Sequence, residues 1–358
     1  MKLISSPGSK RNKIRAGIEV FHNRGKIVCL FEICVTVVDN LIPSFVKYFT
    51  CFTMAAAVSA PEATGPRTRT ENLFAGSEGI YHLPHHAKEV DRLQRQSSLI
   101  LSSTQNVLIT APLKPGKVKV LDSGASDGSW LLDVARLYPN HDWSLHGVDI
   151  GSALFPPKTG PYAALDLREF DIKSATPPEP SWANSFDLVH QRLLVWGLQK
   201  DEWLPVVKNH FHLVKPGGWI QLAEVQWVPR GADYDALPPI LKRMTAFQQW
   251  TTEFFGMDVD AAYRLEDWVK EAGFVNVQKT GFTLGYGAAA REEAWRKPSA
   301  EMWLETFGAL RSKVPEGGIP GVLDSVEEFD QFLEEIVAGV LEYGYRPTLN
   351  FVIGERPE

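Results

Sequence analysis

The chain has 358 residues, 44% of them apolar and 22% charged, a composition that excludes a disordered tail, a collagen-like repeat and a small disulfide scaffold. That length allows one large domain or two modest ones, with a full core either way. The net charge of −6 argues against a dedicated nucleic-acid binder, and it is unevenly spread: residues 1–53 carry +5 and all three cysteines, so the remainder carries −11 and none.

Residues 1–26 are basic, and an apolar stretch runs from 27 to about 58. Glu32, Asp39 and Lys47 interrupt it and Pro43 breaks it, which argues against stable membrane insertion. The small residues at 55–60 come too late for a secretory cleavage site, and 1–26 fits an acid-poor presequence only loosely. The plainest expectation is a poorly ordered extension that takes no part in the fold, with Met54 opening an ordinary polar amino terminus. Residues 1–72 are then extension and linker, and 73–358 one domain. Cys29, Cys34 and Cys51 leave the body with no disulfide, Cys-based metal site or Cys nucleophile, which suits a cytoplasmic enzyme.

From 84 to about 109 the apolar positions fall at helical spacing. KVKVLDSG then reads as a strand and DGSWLLDVARLYP as a helix ended by Pro139. Three strands follow, WSLHGVDI, LREFDI and SFDLVHQ, then a helix EWLPVVKNHFHLV and a fifth strand GGWIQLAEVQW. Beyond them 237–255 and 261–272 read as helices, FVNVQKTGFTLG as a strand, 291–311 and 325–342 as helices, and TLNFVIGE as a last strand. Such alternation predicts an α/β fold, a mostly parallel sheet of seven strands with helices on both faces. Helical insertions are expected near 229–258 and 288–345.

The chemistry is concentrated in Asp122-Ser123-Gly124-Ala125-Ser126-Asp127-Gly128, between a strand and a helix. Glycine lets the backbone turn tightly there, and a helix amino terminus offers free N–H groups to an anion. A dinucleotide fingerprint needs G-x-G-x-x-G, whereas positions 126 and 129 are both Ser. Asp149 ends the second strand, where a carboxylate accepts hydrogen bonds from two ribose hydroxyls, or simply serves as a turn acid. Asp171 ends the third strand, placed for an adenine amine beside an apolar wall, and Asp is equally a common turn residue. Lys215-Pro216-Gly217-Gly218 makes a reversal before the fifth strand.

Together these segments resemble class I S-adenosylmethionine-dependent methyltransferases, in that family's order over 117–225. Tyr81-His82-Leu83-Pro84 with Glu89, Arg92, Leu93 and Gln96 is similar to the Y-x-L-P…E-x-x-R-L-x-x-Q helix of fungal secondary-metabolism methyltransferases, the LaeA-like proteins and toxin-cluster N-methyltransferases. The resemblance covers roughly 78–356 and implies a Rossmann-like domain whose insertions form a substrate lid. It departs at Ser126, which replaces the middle glycine, and at Asp127, which adds a charge near the methionine end.

The resemblance implies S-adenosyl-L-methionine as cofactor, with Asp122, Gly124, Ser126 and Gly128 around the methionyl part. Asp149 would take the ribose and Asp171 with Ile172 the adenine, and Ile150, next to Asp149, also belongs to the cofactor site. His190 and Gln191 would end the fourth strand beside the sulfonium, with Tyr81 and Arg92 closing over the carboxylate and the sulfur. His190 is also readable as a structural histidine, and Arg92 as the partner of Glu89. Glu224, near the end of the fifth strand, would orient or deprotonate a substrate, or make a structural hydrogen bond. His82, His85 and His86 are interrupted by Pro84 and lack an acid partner, so no metal is expected. Bulky stripes at 244–255 and 295–307 read mostly as core, and the few of their residues left to line a pocket suit an apolar small-molecule acceptor, methylated on N or O, better than a nucleic acid. Two other readings remain: a regulatory protein acting through partners, and an NAD-dependent oxidoreductase, disfavoured by the missing third glycine. Acceptor atom and oligomeric state are not encoded in these motifs.

Overall fold

Residues 15–23, 26–34 and 87–358 are described by the computed structural model, with side chains from residue 90 onward. Strands β1 (Arg15–Asn23) and β2 (Lys26–Cys34) pair antiparallel, Arg15 opposite Cys34, and belong to a unit separate from the rest. The sequence suggested only an extension here. Ile18, Val20, Ile27, Val28 and Ile33 are β-branched residues that favour strands. Cys51, the expected linker and Tyr81 lie outside the described residues.

Helix α1 (Ala87–Thr104) stops about five residues before the spacing predicts. Gln105 and Asn106 turn to φ +57° and +65°, and the Asn106 N–H returns to the Leu101 carbonyl at 2.8 Å. A left-handed pair of that kind ends a helix by satisfying its last carbonyls. The apolar residues Val107 and Leu108 therefore belong to the following segment, and Leu108 is buried.

The α/β alternation then follows: β3 (Gly116–Ser123), α2 (Ser129–Leu137), β4 (His141–Asp149), β5 (Asp166–Glu169), β6 (Phe186–Arg192), α3 (Trp203–Leu213) and β7 (Val214–Gln226). Helices α4 (Ala232–Asp235) and α5 (Pro239–Phe254) form the first insertion, and α6 (Ala261–Glu271) leads into β8 (Val275–Thr283). Helices α7 (Glu293–Gly308) and α8 (Phe329–Tyr343) form the second insertion, before β9 (Thr348–Glu355). The sheet order is β5-β4-β3-β6-β7-β9-β8, with β9 antiparallel to both neighbours and the remaining pairs parallel. The seven-stranded, mostly parallel sheet is the one predicted.

This order places the site. The chain runs outward from β3 to β4 and β5, then returns to its other side at β6. The carboxyl ends of β3 and β6 therefore flank the crevice where such sheets bind ligands. Side chains alternate across the sheet, so Val120 packs with Trp130, Leu131 and Val134 of α2, while Leu121 packs with Trp203, Val206 and Leu265. The insertions have their own core, in which the Phe247 ring lies 4.9 Å from Phe307 and 5.8 Å from Phe332. Truncating a buried Phe of this kind to Ala costs about 3–5 kcal/mol. Among the described residues no helix is long and apolar enough to cross a membrane.

Candidate active site

The turn from β3 into α2 takes three left-handed residues, Gly124 (φ +80°), Ser126 (φ +50°) and Gly128 (φ +76°). Ser126 thus adopts the conformation a glycine would hold more easily. Its N–H donates to Asp149 Oδ2 at 2.9 Å, which joins the loop to the end of β4. The Gly124 and Ala125 N–H groups both donate to the Val148 carbonyl at 2.8 Å. Asp127 accepts from the Ser129 N–H at 3.0 Å and from Gln94 Nε2 at 2.8 Å, tying α1 to the loop. The charge expected near the methionine end is thereby held by two donors.

A single cleft opens over these strand ends, lined by Asp122, Gly124, Ser126, Asp149, Ile150, Asp171 and Ile172. With Arg92, eight residues predicted for the cofactor therefore meet in one place, whereas Gly128, at the start of α2, is not among the lining residues. Burial pushes the Asp149 carboxyl up to about 6, against the pull of the Ser126, Gly151 and Ile150 N–H groups. Asp171 differs slightly from expectation, because β5 ends at Glu169. It occupies the turn beyond, where its Oδ1 accepts the Lys173 N–H at 3.0 Å, and it still lines the cleft.

The cleft continues into an apolar chamber walled by Trp196, Trp227, Tyr286, Met302, Trp303 and Phe307. The Trp303 ring lies 5.7 Å from Trp227, edge to face, and 5.3 Å from Tyr286. Both insertions contribute: Gln248 and Thr252 come from α5, and Met302, Trp303 and Phe307 from α7. Six polar atoms of the lining residues are buried without a hydrogen-bond partner among the described residues: Trp227 Nε1, Trp303 Nε1 and Gln248 Oε1 at the chamber, and Ser126 Oγ, Trp130 Nε1 and Arg192 Nη1 nearer the loop.

No family model matches the chain. The N-methyltransferase sirN of Leptosphaeria maculans is 36% identical over 287 residues, 76% of this chain and 97% of its own length. The N-methyltransferase tcpN of Claviceps purpurea is 34% identical over 250 residues, 68% of this chain and 86% of its own. The chain belongs to the fungal S-adenosylmethionine-dependent methyltransferases. The secondary metabolism regulator LAE1 of Gibberella fujikuroi is also similar, 32% identical over 195 residues, 52% of this chain and 56% of its own.

Several expected residues of the methyltransferase stand elsewhere. His190 and Gln191 do not line the cleft; each is 1% exposed. His190 is paired in register with Asp122, donates or accepts at 2.8 Å between Nδ1 and Asp122 Oδ1, and stacks on Trp130 with centroids 3.7 Å apart. Burial lowers its pKa, so the ring is neutral and Nδ1–H donates to the carboxylate. Gln191 faces the opposite side of the sheet, where its Oε1 meets His210 Nε2 at 2.9 Å. Glu224 is 1% exposed and also outside the cleft lining; its Oε1 accepts the Leu194 N–H at 2.5 Å. It holds the segment after β6 that forms the wall Leu193–Leu198, and burial pushes its carboxyl up to about 8.

Arg92 does line the cleft, 6% exposed, and its charge acts on the Tyr286 phenol. Tyr81 and the histidines at 82, 85 and 86 lie outside the described residues, among which no group of His, Cys, Asp and Glu is arranged for a metal. Sequence reasoning missed Arg192, Trp196, Trp227 and Tyr286. Arg192 was within reach, since two residues after His190 on a strand is the same face.

Proposed function

We propose that the cleft binds S-adenosylmethionine and that the enzyme methylates a nitrogen of a small, largely apolar molecule of secondary metabolism. One observation carries this: the acids Asp122, Asp149 and Asp171 and the aromatics Trp196, Trp227, Tyr286 and Trp303 line one and the same cleft. When bound, the donor supplies a methyl already activated on sulfonium, transferred in line to the acceptor. The protein's task is mainly to position and to exclude water. Asp149 accepts the ribose hydroxyls, Asp171 the adenine amine beside Ile172, and Asp122 the amino group, held for that purpose by His190. The aromatic walls shed water from the acceptor, and their π-faces favour positive charge near the reacting atoms. Gln248 and the indole N–H groups of Trp227 and Trp303 meet hydrogen-bonding groups of the acceptor and fix its orientation. Nitrogen is preferred to oxygen because the relatives matched over most of their length are named N-methyltransferases.

The similarity to LAE1 favours a second reading, a regulator that keeps the nucleotide site and works through partners. Isothermal titration with S-adenosylmethionine, S-adenosylhomocysteine and NAD tests the first step. Binding of both sulfur nucleotides and not NAD is expected; failure of both to bind refutes the proposal. Incubation with deuteromethyl-labelled donor and a fungal extract then tests the second. A labelled small molecule supports the enzyme, and binding without any labelled product favours the regulator.

A further inference from the structure

Arg192 closes β6 and shares the His190 face of the sheet, so its side chain enters the cleft beside the glycine turn. A guanidinium stays charged and has five N–H groups to satisfy. Among the described residues it makes one hydrogen bond, Nη2 to Ser97 Oγ at 3.2 Å. Its Nη1 is shielded from solvent and has no hydrogen-bond partner among the described residues. No carboxylate of the described residues stands within ion-pair distance. Asp122, Asp127 and Asp133 attract it from farther away, while burial opposes its charge.

Those three acids are engaged elsewhere. Asp122 Oδ1 holds His190, Asp127 holds Gln94 and the Ser129 N–H, and Asp133 pairs with Arg136 at 2.7 Å. A half-buried guanidinium with one shielded nitrogen and no anion of its own gains from a ligand that supplies one. Arg92 also lines the cleft, but it has a partner of its own and sits on α1, a helix rather than a strand of the sheet. Arg192 stands at the end of a central strand, where a site is held more rigidly.

We propose that Arg192 holds the α-carboxylate of the methionyl end while Asp122 takes its ammonium, so that β6, rather than the leading helix, reads the amino-acid part of the nucleotide. This rests on the cleft binding the sulfur nucleotide. The planar fork suits a carboxylate, and the ribose and adenine acids, Asp149 and Asp171, lie along the cleft from it, leaving the anionic end of the ligand for the arginine.

The test compares S-adenosylhomocysteine with its decarboxylated analogue S-adenosyl-3-thiopropylamine and with 5′-methylthioadenosine, which lacks the whole amino-acid part. Titrations use the full chain as wild type, Arg192→Met and Arg192→Lys. Wild type is expected to bind the decarboxylated analogue about 10- to 100-fold more weakly than S-adenosylhomocysteine, the range for hydrogen bonds to a charged group. In Arg192→Met that preference disappears, 5′-methylthioadenosine binding stays within about threefold, and Arg192→Lys is intermediate. Equal weakening of all three ligands in the folded variant, or no wild-type preference for the carboxylate, overturns the proposal. The wild-type comparison stands even if the variants do not fold. Wild type failing to bind S-adenosylhomocysteine at all refutes the cofactor reading instead, a distinguishable result.

Discussion

Glu224→Gln separates two roles for one carboxyl, a base at the acceptor or a buried brace behind the cleft wall. In the structure Glu224 Oε1 receives the Leu194 N–H, Oε2 has no hydrogen-bond partner among the described residues, and burial raises the pKa from 4.5 to about 8. The unfolded chain ionises above 4.5 while the folded chain does not, so stability is full below pH 4.5, falls as pH rises, and has lost this contribution by about pH 8. At about 1.4 kcal/mol per pH unit the loss reaches up to about 5 kcal/mol. Glutamine keeps the acceptor for Leu194 but cannot titrate, and its buried NH2 costs about 1–3 kcal/mol. The two stability curves should therefore cross, with the variant less stable near pH 5 and more stable near pH 8. Urea denaturation of both proteins across that range measures it. Methyl transfer by the variant at neutral pH should stay within a few-fold of wild type. Parallel stability curves together with abolished turnover would refute the brace and restore the base.

Other outcomes follow from the same geometry. Ribose hydroxyls favour ionised Asp149, so S-adenosylhomocysteine affinity should fall up to about tenfold per pH unit below about 6, and Asp149→Asn should bind weakly without that slope in titrations against pH. Ser126→Gly relieves a left-handed serine and should gain about 0.5–1 kcal/mol. Gly124→Ala, at φ +80° with its new methyl 2.8 Å from Leu194 Cδ2, should lose at least about 1 kcal/mol, so the thermal shifts of these two loop variants have opposite signs. His190→Phe keeps the stacking on Trp130 but removes the donor to Asp122, so Kd for S-adenosylhomocysteine should rise while saturated turnover persists; the reverse split would make His190 part of the chemistry.

Much of the architecture was legible because it is written locally. Strand patterns, the Pro139 stop and the glycine turn each follow from a few neighbouring residues, and Asp122 and Asp149, at strand ends, and Asp171, in the turn after β5, are brought together by the sheet. The misplacements arise where packing decides. Nothing near His190 in the sequence reveals that Trp130, sixty residues earlier, covers its ring, or that Leu194 takes the Glu224 carboxyl. The end of α1 depends on Gln105 and Asn106 turning left-handed, which the apolar spacing through Leu108 masked. Arg192 escaped because the strand was ended one residue early. The chamber was visible only as stripes on separate helices, since Trp227, Gln248, Tyr286 and Trp303 converge through the fold of the two insertions.

A crystal structure of the protein with S-adenosylhomocysteine tests the central claim most directly. It should show both ribose hydroxyls on Asp149, the base beside Ile172, and the sulfur facing the chamber formed by Trp196, Trp227, Tyr286 and Trp303. A nucleotide bound outside this cleft, or bound within it with the sulfur turned away from the chamber, would contradict the account.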